Sequence, residues 1–235
     1  MAVPSVASKR QGRRAGSRGL VAVAVAVAGL ALGFAAPVSA HETGPWSDGA
    51  MAASEVGQLK AWVLETADNQ GLPFLVVDKK GARVLAFNAE GHVLGVSPIL
   101  LGLARGDVSP PGIGDLPLSA IMPDQRVTPA GRFVASIGRN LGAKSILWID
   151  YGLALSLHPV VTARAADRRL ERLASATVDD NRISYGCINV PPEFFEGVIQ
   201  PVFLNTVGVV YILPETQTLA ETFFDPAGQS VTPPH

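Results

Sequence analysis

The stretch Ser184-Tyr185-Gly186-Cys187-Ile188-Asn189-Val190 holds the only cysteine of the chain. A lone thiol cannot close an internal disulfide, so it is either a small buried hydrophobe or a residue kept for its nucleophilicity. The neighbours favour use. Gly186 lets backbone approach a ligand closely, Ser184 and Tyr185 stand before it, and Ile188 and Val190 can anchor the segment while Asn189 points elsewhere. A thiol with a pKa of about 8.5 needs a base to become thiolate. The chain has four histidines: His41 and His235 lie towards its ends, His92 follows the turn glycine Gly91, and His158 closes an apolar strand. His158 is therefore the candidate base, although a histidine on an apolar strand also serves as a satisfied core residue. The four are far apart in sequence and there is no second cysteine, so no metal site is expected.

The elements that must position this pair are mostly strands. Val56, Leu59, Trp62, Val63 and Leu64 recur at near-helical spacing behind Ser54, with Gly71 and Pro73 to end the helix. Three short strands joined by tight turns follow over Phe74–Asp78, Arg83–Phe87 and His92–Val96. From Leu101 to Val127 eight glycines and prolines make the chain irregular, a loop long enough to form a rim or lid over a site. Strands resume after Thr128-Pro129-Ala130-Gly131-Arg132-Phe133, over Ser145–Ile149 and over Leu153–His158. Ala163 to Leu173 reads as a helix with a charged, solvated face, its arginines first surface residues and second a substrate-facing set. Pro191-Pro192 opens a short helix, and a last strand runs from Val207 to Leu213. Strands outnumber helices, which predicts a mostly β, α+β fold: an antiparallel sandwich or barrel with peripheral helices.

The N-terminus reads as an export signal. Lys9, Arg10, Arg13, Arg14 and Arg18 precede an apolar run from Gly19 to Ala36, and Pro37-Val38-Ser39-Ala40 supplies the small residues of a cleavage site after Ala40. A retained membrane anchor is the competing reading, with a run at the short end for a span. The Arg13-Arg14 pair lacks the strongly apolar residues that should follow a twin-arginine signal. The expected organisation is a signal peptide over 1–40, a tether and helix over 41–72, a catalytic domain over 73–213 and a flexible tail over 214–235. Five of the 19 Lys and Arg and none of the 20 Asp and Glu precede the cut, leaving 14 against 20, a net charge of −6. No basic patch points to nucleic acid. The partner is expected in the periplasm or cell wall.

Taken together, Val127-Thr128-Pro129-Ala130-Gly131-Arg132-Phe133, then Leu155-Ser156-Leu157-His158, then Ser184-Tyr185-Gly186-Cys187-Ile188-Asn189 resembles the YkuD-like L,D-transpeptidase domain over roughly Pro73 to Leu213. That family carries a Thr-Pro-x-Gly-x-Phe stretch, a histidine ending a strand and a Ser/Thr-His-Gly-Cys-hydrophobic-Asn/Arg segment in this order. The resemblance implies a mostly β domain of the L,D-transpeptidase type that remodels peptidoglycan with no metal or organic cofactor. Cys187 would attack the carbonyl of the third stem-peptide residue, expelling the terminal D-alanine and leaving a thioester. His158 would be base and then acid, and Gly186 with the Cys187 N–H would hold the oxyanion. An amine from a second stem peptide would resolve the thioester; water would do so in a carboxypeptidase. Two departures stand out. Tyr185 occupies the position of the family's second histidine, either lending a phenol hydroxyl or altering rate and specificity. His158 and Ser184 are separated by 25 residues where the family commonly has fewer, so the charged helix reads as an insertion at the site's edge. Pro159 follows the base, and its carbonyl can accept from the imidazole. The alternatives to a transpeptidase are an L,D-carboxypeptidase or other wall hydrolase, and a silent wall-binding protein on the same fold.

Overall fold

The structure, a computed structural model, describes residues 51–224. The expected signal peptide, the first part of the tether and the end of the tail lie outside these residues. The strands are β1 (Phe74–Asp78), β2 (Arg83–Phe87), β3 (Val93–Pro98), β4 (Leu101–Gly102), β5 (Gly131–Arg139), β6 (Ser145–Asp150), β7 (Leu155–Pro159), β8 (Arg182–Ser184), β9 (Ile188–Val190) and β10 (Val207–Ile212). Eight of them form one sheet in the order β3-β2-β1-β10-β5-β6-β7-β9, and β4 pairs with β8 beside it.

All five residues of β1 are buried, a continuous apolar run of the kind found where a strand is covered on both faces. Successive side chains point to opposite faces. Leu75 and Val77 join one core, with Ile188, Val190, Phe195 and Phe203, while Phe74 and Val76 join a second, with Leu59, Val63 and Tyr211. The second core is covered by helix α1 (Glu55–Thr66), whose Val56, Leu59 and Val63 are buried. Ser54 caps α1, its Oγ accepting from the Gly57 N–H at 3.2 Å. The helix ends at Thr66 because Ala67 turns left-handed at φ 54°, several residues before the expected stop at Gly71. α1 shares a core with the sheet, although the sequence placed it with the tether. The first core is covered by a helical run over 192–203, π-helical at Phe195–Ile199.

The sheet is mixed, which corrects the antiparallel expectation. β10 inserts between β1 and β5 and pairs parallel with β1, Phe74 opposite Val209. β9 pairs parallel with β7, Leu157 opposite Ile188 and His158 opposite Asn189. Reading hairpins along the chain finds consecutive antiparallel strands, whereas these pairings join segments separated by long crossovers.

Three more expectations change. The helix expected over Ala163 to Leu173 is a 3-10 turn, Ala165–Asp167, then a short α2 (Arg169–Leu173), with Arg168 left-handed at φ 49° between them. The irregular stretch from 101 contains β4 and 3-10 turns at Ile113–Asp115, Leu118–Ala120 and Pro123–Gln125. The flexible tail does not begin at 214. Leu219 and Phe223 are buried in the second core, and the Glu215 carboxylate is 3 % exposed.

Candidate active site

The register of β7 on β9 builds the site. On a strand, residues two apart share a face, so Ser156 and His158 point the same way, as do Cys187 and Asn189. With Leu157 opposite Ile188 and His158 opposite Asn189, the pairing runs back to set Cys187 beside Ser156. Ser156 Oγ donates to Cys187 Sγ at 3.5 Å, and Asn189 Nδ2 lies 3.3 Å from His158 Nε2. Cys187, His158, a serine and an amide thus form a square on one face of two parallel strands.

His158 Nδ1 donates to the Pro159 carbonyl at 2.8 Å, which fixes the tautomer and leaves Nε2 to face the thiol. Each of the two groups shifts the other towards its charged form. Burial pushes the Cys187 thiol up, but the hydrogen bond and charge of His158, with Ser156, bring it below its ordinary value. Burial pulls His158 down, but Cys187 and the Pro159 carbonyl raise it above its ordinary value, against a nearby Arg169.

The turn that presents Cys187 depends on glycine. Gly186 sits at φ 130°, and a Cβ there would lie 2.9 Å from the Val127 carbonyl oxygen. Thr128, fully buried, accepts from the Gly102 N–H at 2.9 Å and donates to the Gly186 carbonyl at 2.7 Å. Ser184 Oγ accepts from the Gly186 N–H at 3.1 Å and donates to the Cys187 carbonyl at 2.6 Å. The Gly186 N–H is therefore taken up by Ser184. The Cys187 N–H has no hydrogen-bond partner among the described residues and is the donor left for an oxyanion.

Behind the turn lies a buried ionic cluster. Lys79 Nζ, its side chain fully buried, donates to Asp107 at 2.7 Å, to the Gly106 carbonyl at 2.6 Å and to the Thr128 carbonyl at 2.9 Å. Asp107 also accepts from the backbone N–H groups of Glu215, Thr216 and Gln217. Arg182 Nη2 meets Glu215 at 2.6 Å and the Lys79 carbonyl at 3.2 Å. Burial pushes the Asp107 carboxyl up, yet its bonds from Lys79 and Thr216 hold it well below the usual carboxylate range.

Two hollows meet at Cys187 and Tyr185. A groove of about 300 Å³ runs past His158, Val161, Arg164 and Arg169. A smaller pocket of about 70 Å³ is walled by Leu116, Ile121, Pro129 and Leu153 from the irregular stretch and the β6–β7 turn. Tyr185 divides them, the Arg126 guanidinium 4.0 Å above its ring and itself bound to the Ile121 carbonyl at 3.1 Å. The phenol hydroxyl makes no hydrogen bond among the described residues.

The structure thus brings together Cys187, His158, Pro159, Ser184, Tyr185 and Gly186. Sequence reasoning did not assign roles to Ser156, Asn189, Thr128 or Arg169. The signal for the first two was present in the two-residue spacings Ser156-x-His158 and Cys187-x-Asn189; Thr128 stood in the Thr128-Pro129-Ala130-Gly131-Arg132-Phe133 stretch and Arg169 among the arginines of Ala163 to Leu173, with nothing to single either out.

No family model and no curated protein matches the chain. Among solved structures, the NMR structure of the catalytic domain of an L,D-transpeptidase from E. faecium is similar at 17% identity and a TM-score of 0.33, covering 61% of this chain and 98% of that domain. So remote a likeness carries no argument about chemistry.

Proposed function

We propose that this chain is an exported cysteine acyltransferase of the L,D-transpeptidase type, acting on peptidoglycan stem peptides. The observation that carries the acyl-transfer reading is the thiol, imidazole and open Cys187 N–H converging where two hollows meet. The peptidoglycan reading rests on the three sequence motifs. The Cys187 thiolate attacks the acyl carbonyl, whose oxygen takes the developing charge and is met by the Cys187 N–H. The tetrahedral adduct collapses, the carbon–nitrogen bond breaks, and His158 Nε2–H gives its proton to the departing D-alanine amine. A thioester remains. An acceptor amine then loses its proton to Nε2 as it attacks, and the thiolate leaves. With two hollows flanking the sulfur, donor and acceptor can occupy opposite sides, which favours transfer over hydrolysis.

The test is to incubate the protein with defined tetrapeptide muropeptides and read products by mass. Cross-linked dimers are expected, together with a carbapenem adduct on Cys187 that Cys187→Ala abolishes. His158→Ala is expected to slow that acylation at least about 100-fold, the usual contribution of a positioned base. Only tripeptide monomers would mean a carboxypeptidase. No product and no adduct would leave a wall-binding protein.

A further inference from the structure

Arg169 is the first residue of α2, in the segment that reads as an insertion at the site's edge, and it reaches back to the square of active groups. Its side chain is only 15 % exposed and is fixed on one side by Asp167 at 3.0 Å. On the other it donates to Asn189 Oδ1 at 2.8 Å. A guanidinium has donors and no acceptor, so the atom facing it must be the amide oxygen. The amide nitrogen is thereby turned towards His158 Nε2, 3.3 Å away. Because Nδ1 is committed to the Pro159 carbonyl, Nε2 bears a lone pair in the neutral ring and a proton in the imidazolium. An N–H aimed at that atom supports the lone pair and opposes the proton.

We propose that Arg169 is a positioning residue that locks the Asn189 amide so that it favours neutral His158. The proposal rests on the acyltransferase reading for its purpose. The thiol partner pulls His158 towards the imidazolium, which suits protonation of the leaving amine, but the second half-reaction needs a neutral imidazole to take a proton from the acceptor. Arg169 counters that pull in two ways: its own charge, and the amide it holds. Without it only a long bond from Nδ2 to the Cys187 carbonyl, 3.5 Å, holds the amide, which can then turn, place Oδ1 on the Nε2–H and stabilise the imidazolium. The other ionisable groups around His158 are Cys187 from the turn before β9, and Arg164 and Asp167 from the segment before α2, which line the same groove with Tyr185.

The test reads His158 directly in the full chain, without any acyl donor, so it stands whether or not the protein processes stem peptides. Histidine ring signals are followed against pH by NMR, with His158→Gln identifying the signal of interest. Arg169→Gln is expected to raise the His158 titration by about one pH unit. In an Asn189→Ala background the same substitution is expected to move it by less than half as much, because the amide through which Arg169 acts is gone. Arg169→Lys, which keeps the charge and one donor, should restore most of the wild-type value and serves if the glutamine variant does not fold. An unmoved titration in a folded Arg169→Gln chain overturns the proposal. So does an equal shift with and without the Asn189 amide, which would leave only the distant charge.

Discussion

Removing one hydroxyl, in Thr128→Val, tests how the nucleophile is held. Valine matches threonine in shape, so packing is preserved while two hydrogen bonds are lost. The Gly102 N–H and the Gly186 carbonyl, both served by Thr128 Oγ1, are left without their partner in a fully buried spot. A buried group stranded in this way costs about 1–3 kcal/mol, so the pair amounts to roughly 2–6 kcal/mol. In a domain of this size each kcal/mol moves the Tm by about 2–4 °C, which predicts a drop of roughly 4–24 °C. The effect on rate follows from the peptide plane. The Gly186 carbonyl and the Cys187 N–H belong to the same planar unit, so freeing the carbonyl lets the plane tilt and mis-aims the one open amide. Full loss of an oxyanion donor is worth about 2.7–4 kcal/mol, and partial misalignment predicts a roughly 10- to 100-fold slower acylation. Thermal melting and time-resolved intact-mass measurement of carbapenem acylation, made well below the variant's Tm, read the two effects separately. Thr128→Ser keeps the hydroxyl and should stay near wild type in both. If Thr128→Val acylates at the wild-type rate, the peptide plane is held by something else and the reasoning is wrong.

Iodoacetamide labelling of Cys187 against pH should show a midpoint below the ordinary thiol value of about 8.5, since the lowered thiol pKa keeps the thiolate present as pH falls. Ser156→Ala, which removes a donor to the sulfur, should move that midpoint upward; an unchanged midpoint would deny Ser156 any part in holding the thiolate. Lys79→Met should destabilise the fold by about 3–5 kcal/mol in thermal or urea melts, because it strands buried Asp107, and adding Asp107→Asn should recover part of the loss. Tyr185→Phe should acylate at close to the wild-type rate, since the hydroxyl has no partner among the described residues and the ring carries the Arg126 contact. Tyr185→Ala should lower stability by about 1–2 kcal/mol through that contact, and a large rate loss in the phenylalanine variant would instead assign the hydroxyl to the oxyanion.

How much of this was legible follows from range. Cys187 stood out because it is alone, and His158 because it ends an apolar strand, so both could be read locally. Most strand segments announced themselves through apolar runs between glycine turns. The pairing of β1 with β10 did not, since nothing in Phe74–Asp78 specifies a partner more than a hundred residues later. Lys79 looked like a turn residue in Lys79-Lys80-Gly81, and only the fold reveals that Asp107, 28 residues on, receives its ammonium. Arg169 sat among arginines read first as surface residues and only second as a substrate-facing set; what distinguishes it is Asn189, which the chain brings back 20 residues later.

The central place of β10 also bears on how this molecule comes into being. It is the last strand in chain order among the described residues, yet it fills the middle of the sheet, between β1 and β5. Until it arrives, β1 and β5 each present an open edge, and the loop from Asp78 to Val207 must close before their pairing is rewarded. A chain stopped short of Glu215 also lacks the carboxylate that neutralises Arg182 beside the turn leading to Cys187. No stable N-terminal half is expected, and folding should be slow and all-or-none. The thiol is then brought beside His158 only in a chain that includes β10, so copies clipped before it are expected to carry an ordinary, unactivated cysteine.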